Sequence, residues 1–472
     1  METSCYRAIL RFVKALNVIL LSIPMVICWK MTHAYTINTT NNMINELLIM
    51  VLFIILYATF GRIYDAFFVS LVRISEMLYS QCLALLMSDA VMYMICCLMA
   101  QKVCSIVPFG GVLIVQLILS VFWCSIAHIW YFKTFAPKKT AIIYDRNQSV
   151  ENLINAYGLE KKFKVCISET VDECLSSGFV SLQKVETVFL CGVHSHERNS
   201  LLKFCVENNI TVYVLPRIGD VIMSGARQMH LFHLPFLRVG RYDPAPEYLV
   251  MKRLFDVIVS VIALLILSPV MIITAAAIKL TDGGPVFYRQ KRLTKNGQEF
   301  YVLKFRSMRQ DAEKDGVARL STGEQDDRIT PVGRIIRKCR IDELPQLLNI
   351  LQGSMSIVGP RPERPEIAQQ YEQELPEFSL RLQAKAGLTG YAQVYGKYNT
   401  TPYDKLQMDL MYIANPSFWE DLRIIFATIK ILFIPESTEG VAVGMETAMT
   451  VEKQIAATME KQMDERNEKI EV

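Results

Sequence analysis

Charge is scarce at the start of this 472-residue chain: residues 1–135 hold 13 charged side chains, about a tenth of their positions. The other 337 positions hold 83, close to the quarter expected of a globular protein. No C-x-x-C pair occurs among the 12 cysteines, so a zinc ribbon or redox dithiol has no framework. Six cysteines lie in or near apolar stretches, where the thiol acts as a small hydrophobe. The rest are scattered, which suits a reducing compartment. The net charge of +4 is too small for a nucleic-acid surface, so no nucleic-acid partner is expected. A wholly soluble enzyme, a disordered chain and a disulfide scaffold are excluded together.

The charge-poor third contains four apolar stretches: Ala15–Thr32, Leu47–Phe60, Cys82–Ala100 and Val112–Phe132. A spanning helix needs about 20 apolar residues. The second stretch reaches that length only when 44–61 is counted whole. The first is too long, and too poor in a small-residue cleavage site, to read as a signal peptide. With four spans, one set of flanks carries Arg7, Arg11, Lys14, Arg62, Arg73, Lys133, Lys138 and Lys139, and the other only Lys30 and Lys102. The excess of basic flanks puts everything after residue 133 in the cytoplasm. Trp123, Trp130 and Tyr131 read as interfacial anchors. Asp89 lies inside the third span, as a functional carboxylate or as a bond between helices. Asn38-Thr39-Thr40 matches a glycosylation pattern.

From Lys139 the pattern changes. Thr140–Tyr144, Phe163–Ile167, Val185–Leu190 and Ile210–Leu215 read as strands. Helical windows fall between them at Ser149–Tyr157, Val171–Leu175 and Glu197–Asn208. This alternation predicts a parallel sheet with helices on both faces, a Rossmann-like α/β domain. The turn after the first strand, Tyr144-Asp145-Arg146-Asn147-Gln148-Ser149, has no glycine with which to approach a pyrophosphate. A nucleotide-linked oxidoreductase is therefore disfavoured. His194-Ser195-His196 lacks an evident third metal ligand and reads as a solvated loop.

A fifth apolar run, Leu254–Leu280, interrupts the globular part. It has basic residues at both ends, Lys252 and Arg253 before it and Lys279, Arg289, Lys291 and Arg292 after. Ser268-Pro269 sits near its middle, and proline removes a helix hydrogen bond. The expectation is a helix–break–helix hairpin that enters one leaflet and returns. An ordinary fifth span would carry the rest of the chain outside.

Residues 285–340 hold 14 basic and seven acidic side chains. Such a field suits anionic headgroups or phosphorylated substrates. It leads into Arg340-Ile341-Asp342-Glu343-Leu344-Pro345-Gln346. Neighbouring cations are expected to keep both carboxylates ionised. Adjacent side chains at the start of a helix point about 100° apart, so one can attack phosphorus while the other holds a hard cation. Val358-Gly359-Pro360-Arg361-Pro362-Glu363 reads as a rigid turn presenting Arg361. The run from Lys385 to Lys397 supplies flexible glycines and basic groups.

These motifs, with Lys304-Phe305-Arg306-Ser307-Met308 and the Ser268-Pro269 break, resemble the bacterial sugar transferases, the monotopic polyprenyl-phosphate phosphoglycosyltransferases. The four-span region and α/β domain resemble the N-terminal half of the long-form members. The resemblance implies four domains: 1–135 with four membrane helices, 136–245 Rossmann-like, 246–435 a mostly α monotopic catalytic domain with re-entrant helix 254–280, and 436–472 an acidic tail. It implies sugar-1-phosphate transfer from a UDP-sugar, with glucose or galactose favoured, to undecaprenyl phosphate. Asp342 is the implied nucleophile, and Glu343 the implied ligand of Mg²⁺. Lys304, Arg337, Arg361, Lys397 and Asp409 match positions near phosphate or nucleotide. Membrane lipids are further implied partners and a bacterial inner membrane the implied location; the four spans and a middle domain with no evident ligand suggest a homodimer. The family's usual proline is Ala386 here, Tyr395 replaces a polar residue, and Lys397 replaces an arginine. Cys339-Arg340-Ile341 stands before the acidic pair, where the family often has a small hydroxyl residue. Residues 421–434 read as an amphipathic interfacial helix with Arg423 and Lys430. The competing reading is an inactive membrane scaffold, against which the intact Asp342-Glu343 pair counts.

Overall fold

The computed structural model describes residues 2–32, 42–145, 149–242, 244–309, 328–396 and 401–432. Outside them lie Asn38-Thr39-Thr40, Arg146-Asn147-Gln148, positions 310–327 of the basic stretch, Lys397, the end of the 421–434 helix and the acidic tail. The described chain forms two compact units, residues 1–215 and 216–472.

The first unit begins with four long helices: α1 (Glu2–Thr32), α2 (Asn42–Ile63), α3 (Ile74–Ala100) and α4 (Ile106–Thr134). Each is long and apolar enough to cross a membrane. Between such helices hydrophobic burial gives little drive, so polar contacts and close packing contribute more. Here Tyr57 donates to Asn17 Oδ1 at 3.1 Å, and Gln116 Nε2 donates to the Leu21 carbonyl at 3.0 Å. Asp89 is buried between helices, beside Gln116, rather than turned to lipid. Trp123 departs from expectation. It is 7% exposed and packs with Val69 and Met77, so it is a core residue and not an interfacial anchor.

The chain then runs through β1 (Lys138–Tyr144), α5 (Ser149–Ala156), β2 (Phe163–Thr170), α6 (Val171–Ser176), β3 (Thr187–Cys191), α7 (Ser195–Glu207) and β4 (Thr211–Val214). The strands form one parallel sheet in the order β2-β1-β3-β4. Alternation along β1 explains the two faces. Ala141 and Ile143 pack with Val171, Cys174, Leu201 and Cys205 of α6 and α7, whereas Ile142 packs with Ile154 of α5. The α/β expectation is met, with helices on both faces. His194 Nε2 lies 3.5 Å from Asp145 Oδ2. Among the described residues no three of His, Cys, Asp and Glu gather as a metal site.

The second unit starts with α8 (Ile218–Ser224) and a hairpin of β5 (Arg227–Leu231) and β6 (Leu234–Arg238). Residues 216–245, expected to finish the α/β domain, thus belong to the following unit. The reason is packing: Val221 joins its core, and the Pro216 carbonyl accepts from Gln407. There follow α9 (Pro246–Asp282), β7 (Phe287–Leu293), β8 (Glu299–Phe305), α10 (Pro331–Lys338), α11 (Gln346–Gln352), β9 (Ser356–Val358), α12 (Pro365–Glu374), β10 (Gly387–Thr389), α13 (Tyr391–Tyr395), α14 (Pro402–Ala414) and α15 (Phe418–Leu432). Leu347, Ile350, Met355, Phe378, Leu406, Leu410 and Ile424 form the core.

Pro269 lies inside α9, whose 37 residues stay helical across the expected break. Proline at 269 leaves the Leu265 carbonyl without its backbone donor. The Ser268 hydroxyl donates to that carbonyl at 2.8 Å and replaces the missing bond. Both ends of α9 pack on the same unit. Arg253 donates to the Ile350 and Leu351 carbonyls at 2.6 and 2.7 Å, and Asp256 accepts from the Ile357 amide at 3.0 Å. At the other end Ile278 is buried with Phe305 and Ile336.

Candidate active site

The acidic pair is presented by a forced turn. Thr330 caps α10 by accepting from the Gly333 amide, and Pro331 occupies its first turn. The helix stops at Cys339. Arg340 then adopts a left-handed conformation, φ 54°, which costs a non-glycine residue on the order of 1–3 kcal/mol. A single turn, Ile341–Glu343, follows, before α11. Strand β8 is locked to the start of α11 by Asn349, which accepts from the Leu303 amide at 2.9 Å and donates to the Tyr301 carbonyl at 2.8 Å. That lock sets Lys304, the next residue on β8, against Glu343.

Glu343 is the hub. Its Oε1 accepts from Lys304 Nζ at 3.0 Å and from Arg361 Nη2 at 2.9 Å. Burial works to raise the Glu343 carboxyl, but Lys304 and Arg361 outweigh it and hold it well below the usual carboxylate range. Asp342 behaves oppositely. Burial, then the charge of Glu343, push its carboxyl up, only partly offset by Lys304, Arg337 and Arg361. The cations act mainly on Glu343, so at Asp342 burial and the neighbouring carboxylate outweigh them. Adjacent carboxylates driven apart in this way are equipped for different roles. Arg337, on the last turn of α10, contributes its field to Asp342.

Arg361 is held by what lies beneath its turn. The buried guanidinium of Arg381 donates to the Arg361 carbonyl at 2.9 Å, pairs with Asp409 at 2.6 Å and reaches Glu363 at 3.6 Å. Arg292 donates to the Pro362 carbonyl at 3.0 Å. Asp409 is 1% exposed and faces Arg381. Through that pair it braces the turn that carries Arg361. Arg381, Arg292 and Asn349 were not singled out by sequence, since a lone buried polar residue leaves no periodic or motif signal.

The glycines also have a different role from the one expected. Strand β10 pairs in parallel with β9, and Gly359 donates to the Thr389 carbonyl at 2.9 Å. A Cβ on Gly359 would overlap the Lys385 carbonyl, and one on Gly387 or Gly390 would overlap Gly359. These residues are small because backbone lies on backbone, not because the segment flexes. Ser268 and Pro269 lie in α9, away from this cluster in sequence, and Lys397 is outside the described residues.

The brace has a measurable consequence. Asp409→Ala leaves the Arg381 charge buried with only Glu363 nearby, which is expected to cost about 3–5 kcal/mol of stability. Denaturant unfolding of the detergent-solubilised protein measures it; a loss below about 1 kcal/mol would contradict a buried pair.

Residues 247–435 match the family described as bacterial sugar transferase. A UDP-N-acetylgalactosamine-undecaprenyl-phosphate N-acetylgalactosaminephosphotransferase of Aeromonas hydrophila is 38% identical over 237 residues, 50% of this chain and 55% of that protein. A UDP-glucose:undecaprenyl-phosphate glucose-1-phosphate transferase of Xanthomonas campestris is 40% identical over 226 residues, 46% of each. The chain thus spans about half the length of these curated relatives. The exopolysaccharide production protein PSS of Rhizobium leguminosarum is 42% identical over 201 residues, 41% of this chain and 98% of that protein. Nearly a whole relative at that identity, with a family match over 247–435 that includes Lys304, Glu343 and Arg361, means that this chain belongs to the bacterial sugar transferase family.

Proposed function

We propose that this chain transfers a sugar-1-phosphate from a UDP-sugar to undecaprenyl phosphate, releasing UMP, and so begins a surface polysaccharide on its lipid carrier. The observation that carries this reading is the division of labour at Asp342-Glu343: one carboxylate is neutralised by two cations, and the other, among the described residues, makes no ion pair beside them. The names of the Aeromonas and Xanthomonas relatives support the substrate class, and the Rhizobium name the product. UDP-glucose is the sugar donor to test first, with UDP-galactose beside it.

In the proposed chemistry an Asp342 oxygen attacks the sugar-bearing phosphorus of the UDP-sugar. The bond from that phosphorus to the bridging oxygen breaks, and UMP leaves with the electron pair. An oxygen of undecaprenyl phosphate then attacks the same phosphorus, and the Asp342 carboxylate departs. Phosphoryl transfer needs positioning and charge stabilisation above all, which Lys304 and Arg361 supply. Mg²⁺ takes one or two carboxylates together with substrate phosphates. Glu343 fits that requirement, since only its Oε1 is engaged by Lys304 and Arg361. A bound Mg²⁺ would neutralise diphosphate charge.

We further propose that α9 enters the membrane, bends sharply at Pro269 and returns to the cytoplasmic side, and that α1 to α4 span it. Both ends of α9 are fixed to one unit, and the hydroxyl at Ser268 satisfies the carbonyl freed by Pro269 where no water is present.

Purified protein with Mg²⁺, undecaprenyl phosphate and a panel of UDP-sugars is expected to release UMP. Asp342→Asn should lower the rate roughly a thousandfold or more, as loss of a nucleophile does. Full activity in that variant, or no UMP from any sugar, would sink the mechanism and favour the scaffold. Attack requires ionised Asp342. Because its carboxyl is pushed up, the acidic limb of the rate profile should fall above the ordinary aspartate value of about 3.9. Cysteines placed at 247 and 281 should be labelled from the same side of the membrane; labelling from opposite sides would overturn the returning helix.

A further inference from the structure

Five lysines gather where the helices of the first unit meet its sheet. Lys14 comes from α1, Lys133 from the last turn of α4, Lys138 from the start of β1, and Lys161 and Lys162 from the approach to β2. Three are tied around the loop between α2 and α3. Lys162 Nζ donates to Ser70 Oγ at 3.0 Å, and Lys14 Nζ lies 5.9 Å from the centre of the Phe68 ring. The Lys138 amide donates to the Lys162 carbonyl at 2.8 Å. Burial, then the charges of Lys138 and Lys14, push Lys162 down to about 8. Among the described residues no salt bridge reaches any of the five. Basic flanks orient a membrane protein, but orientation does not require a half-buried lysine turned onto the bundle's own loop.

A groove of about 390 Å³ adjoins these lysines, within the range of small-ligand sites. It is lined by His128, Ile129, Phe132, Lys133, Pro137 and Lys161. Its chemistry is two-sided. Lys133 and Lys161 offer ammonium groups, while Ile129 and Phe132 offer apolar surface on an apolar helix. A soluble phosphate uses the first and leaves the second exposed. A lipid uses both.

We propose that this groove binds the phosphate of an anionic membrane lipid, with its hydrocarbon along Ile129 and Phe132 of α4. The occupant satisfies the cations that no carboxylate answers, and fixes the junction of bundle and sheet.

Native mass spectrometry of the full chain in detergent tests this without any transferase readout, so its outcome is independent of the proposed function. The probes are phosphatidylglycerol, phosphatidylcholine and inorganic phosphate. Phosphatidylglycerol should bind more tightly than phosphatidylcholine. The double variant Lys133→Gln and Lys161→Gln should weaken it about 25-fold, on the order of fivefold for each lysine near a charged lipid, and leave phosphatidylcholine unchanged. If the double variant does not fold, Lys161→Gln alone, an exposed position, should weaken binding about fivefold. Equal binding of the two lipids, or unchanged affinity in the variants, would overturn the site. Displacement of phosphatidylglycerol by millimolar inorganic phosphate would overturn the lipid and leave a soluble anion in its place.

Discussion

One carboxylate oxygen organises the second unit. Oε1 of Glu343 receives both Lys304 and Arg361, from a strand and a turn far apart in sequence. A carboxylate buried here alone would take up a proton, and two cations buried here alone would repel each other. Together they stabilise one another, and their field falls on the neighbouring Asp342. The rest of the unit holds these three groups in register: Asn349 for the strand, the left-handed Arg340 for the acidic turn, and Arg381 for the turn of Arg361.

The arrangement is layered by burial. Arg381 and Asp409 lie beneath the working surface at 2% and 1% exposure, while Arg361 above them is part-exposed. An ion pair that far from solvent is costly to form and more costly to break, so its contribution lies less in stability than in fixing one geometry. The same division between support and working face recurs in α9, where Arg253 and Asp256 anchor the helix and its middle remains apolar and open.

Much of this was legible in the sequence, for identifiable reasons. Period-two patterning located the parallel strands, and long uncharged runs located the apolar helices. The Asp342-Glu343 pair and Arg361 were visible because charge in a local motif is conspicuous. What escaped was whatever depended on distant partners. Trp123 carries the composition of an interfacial anchor but meets Val69 and Met77. Asp409 carries the composition of a ligand group but meets Arg381. The glycines after Lys385 read as flexible until Gly359 is seen lying against them.

That last contact bears on what this site can change. Where Gly359, Gly387 and Gly390 stack backbone against backbone, there is no side chain to exchange and no slack to absorb a shift. The turn carrying Arg361 is thus a fixed gauge, insulated from the usual route by which enzymes drift toward new substrates. Any change in what this site accepts has to enter through segments that do not touch this clamp.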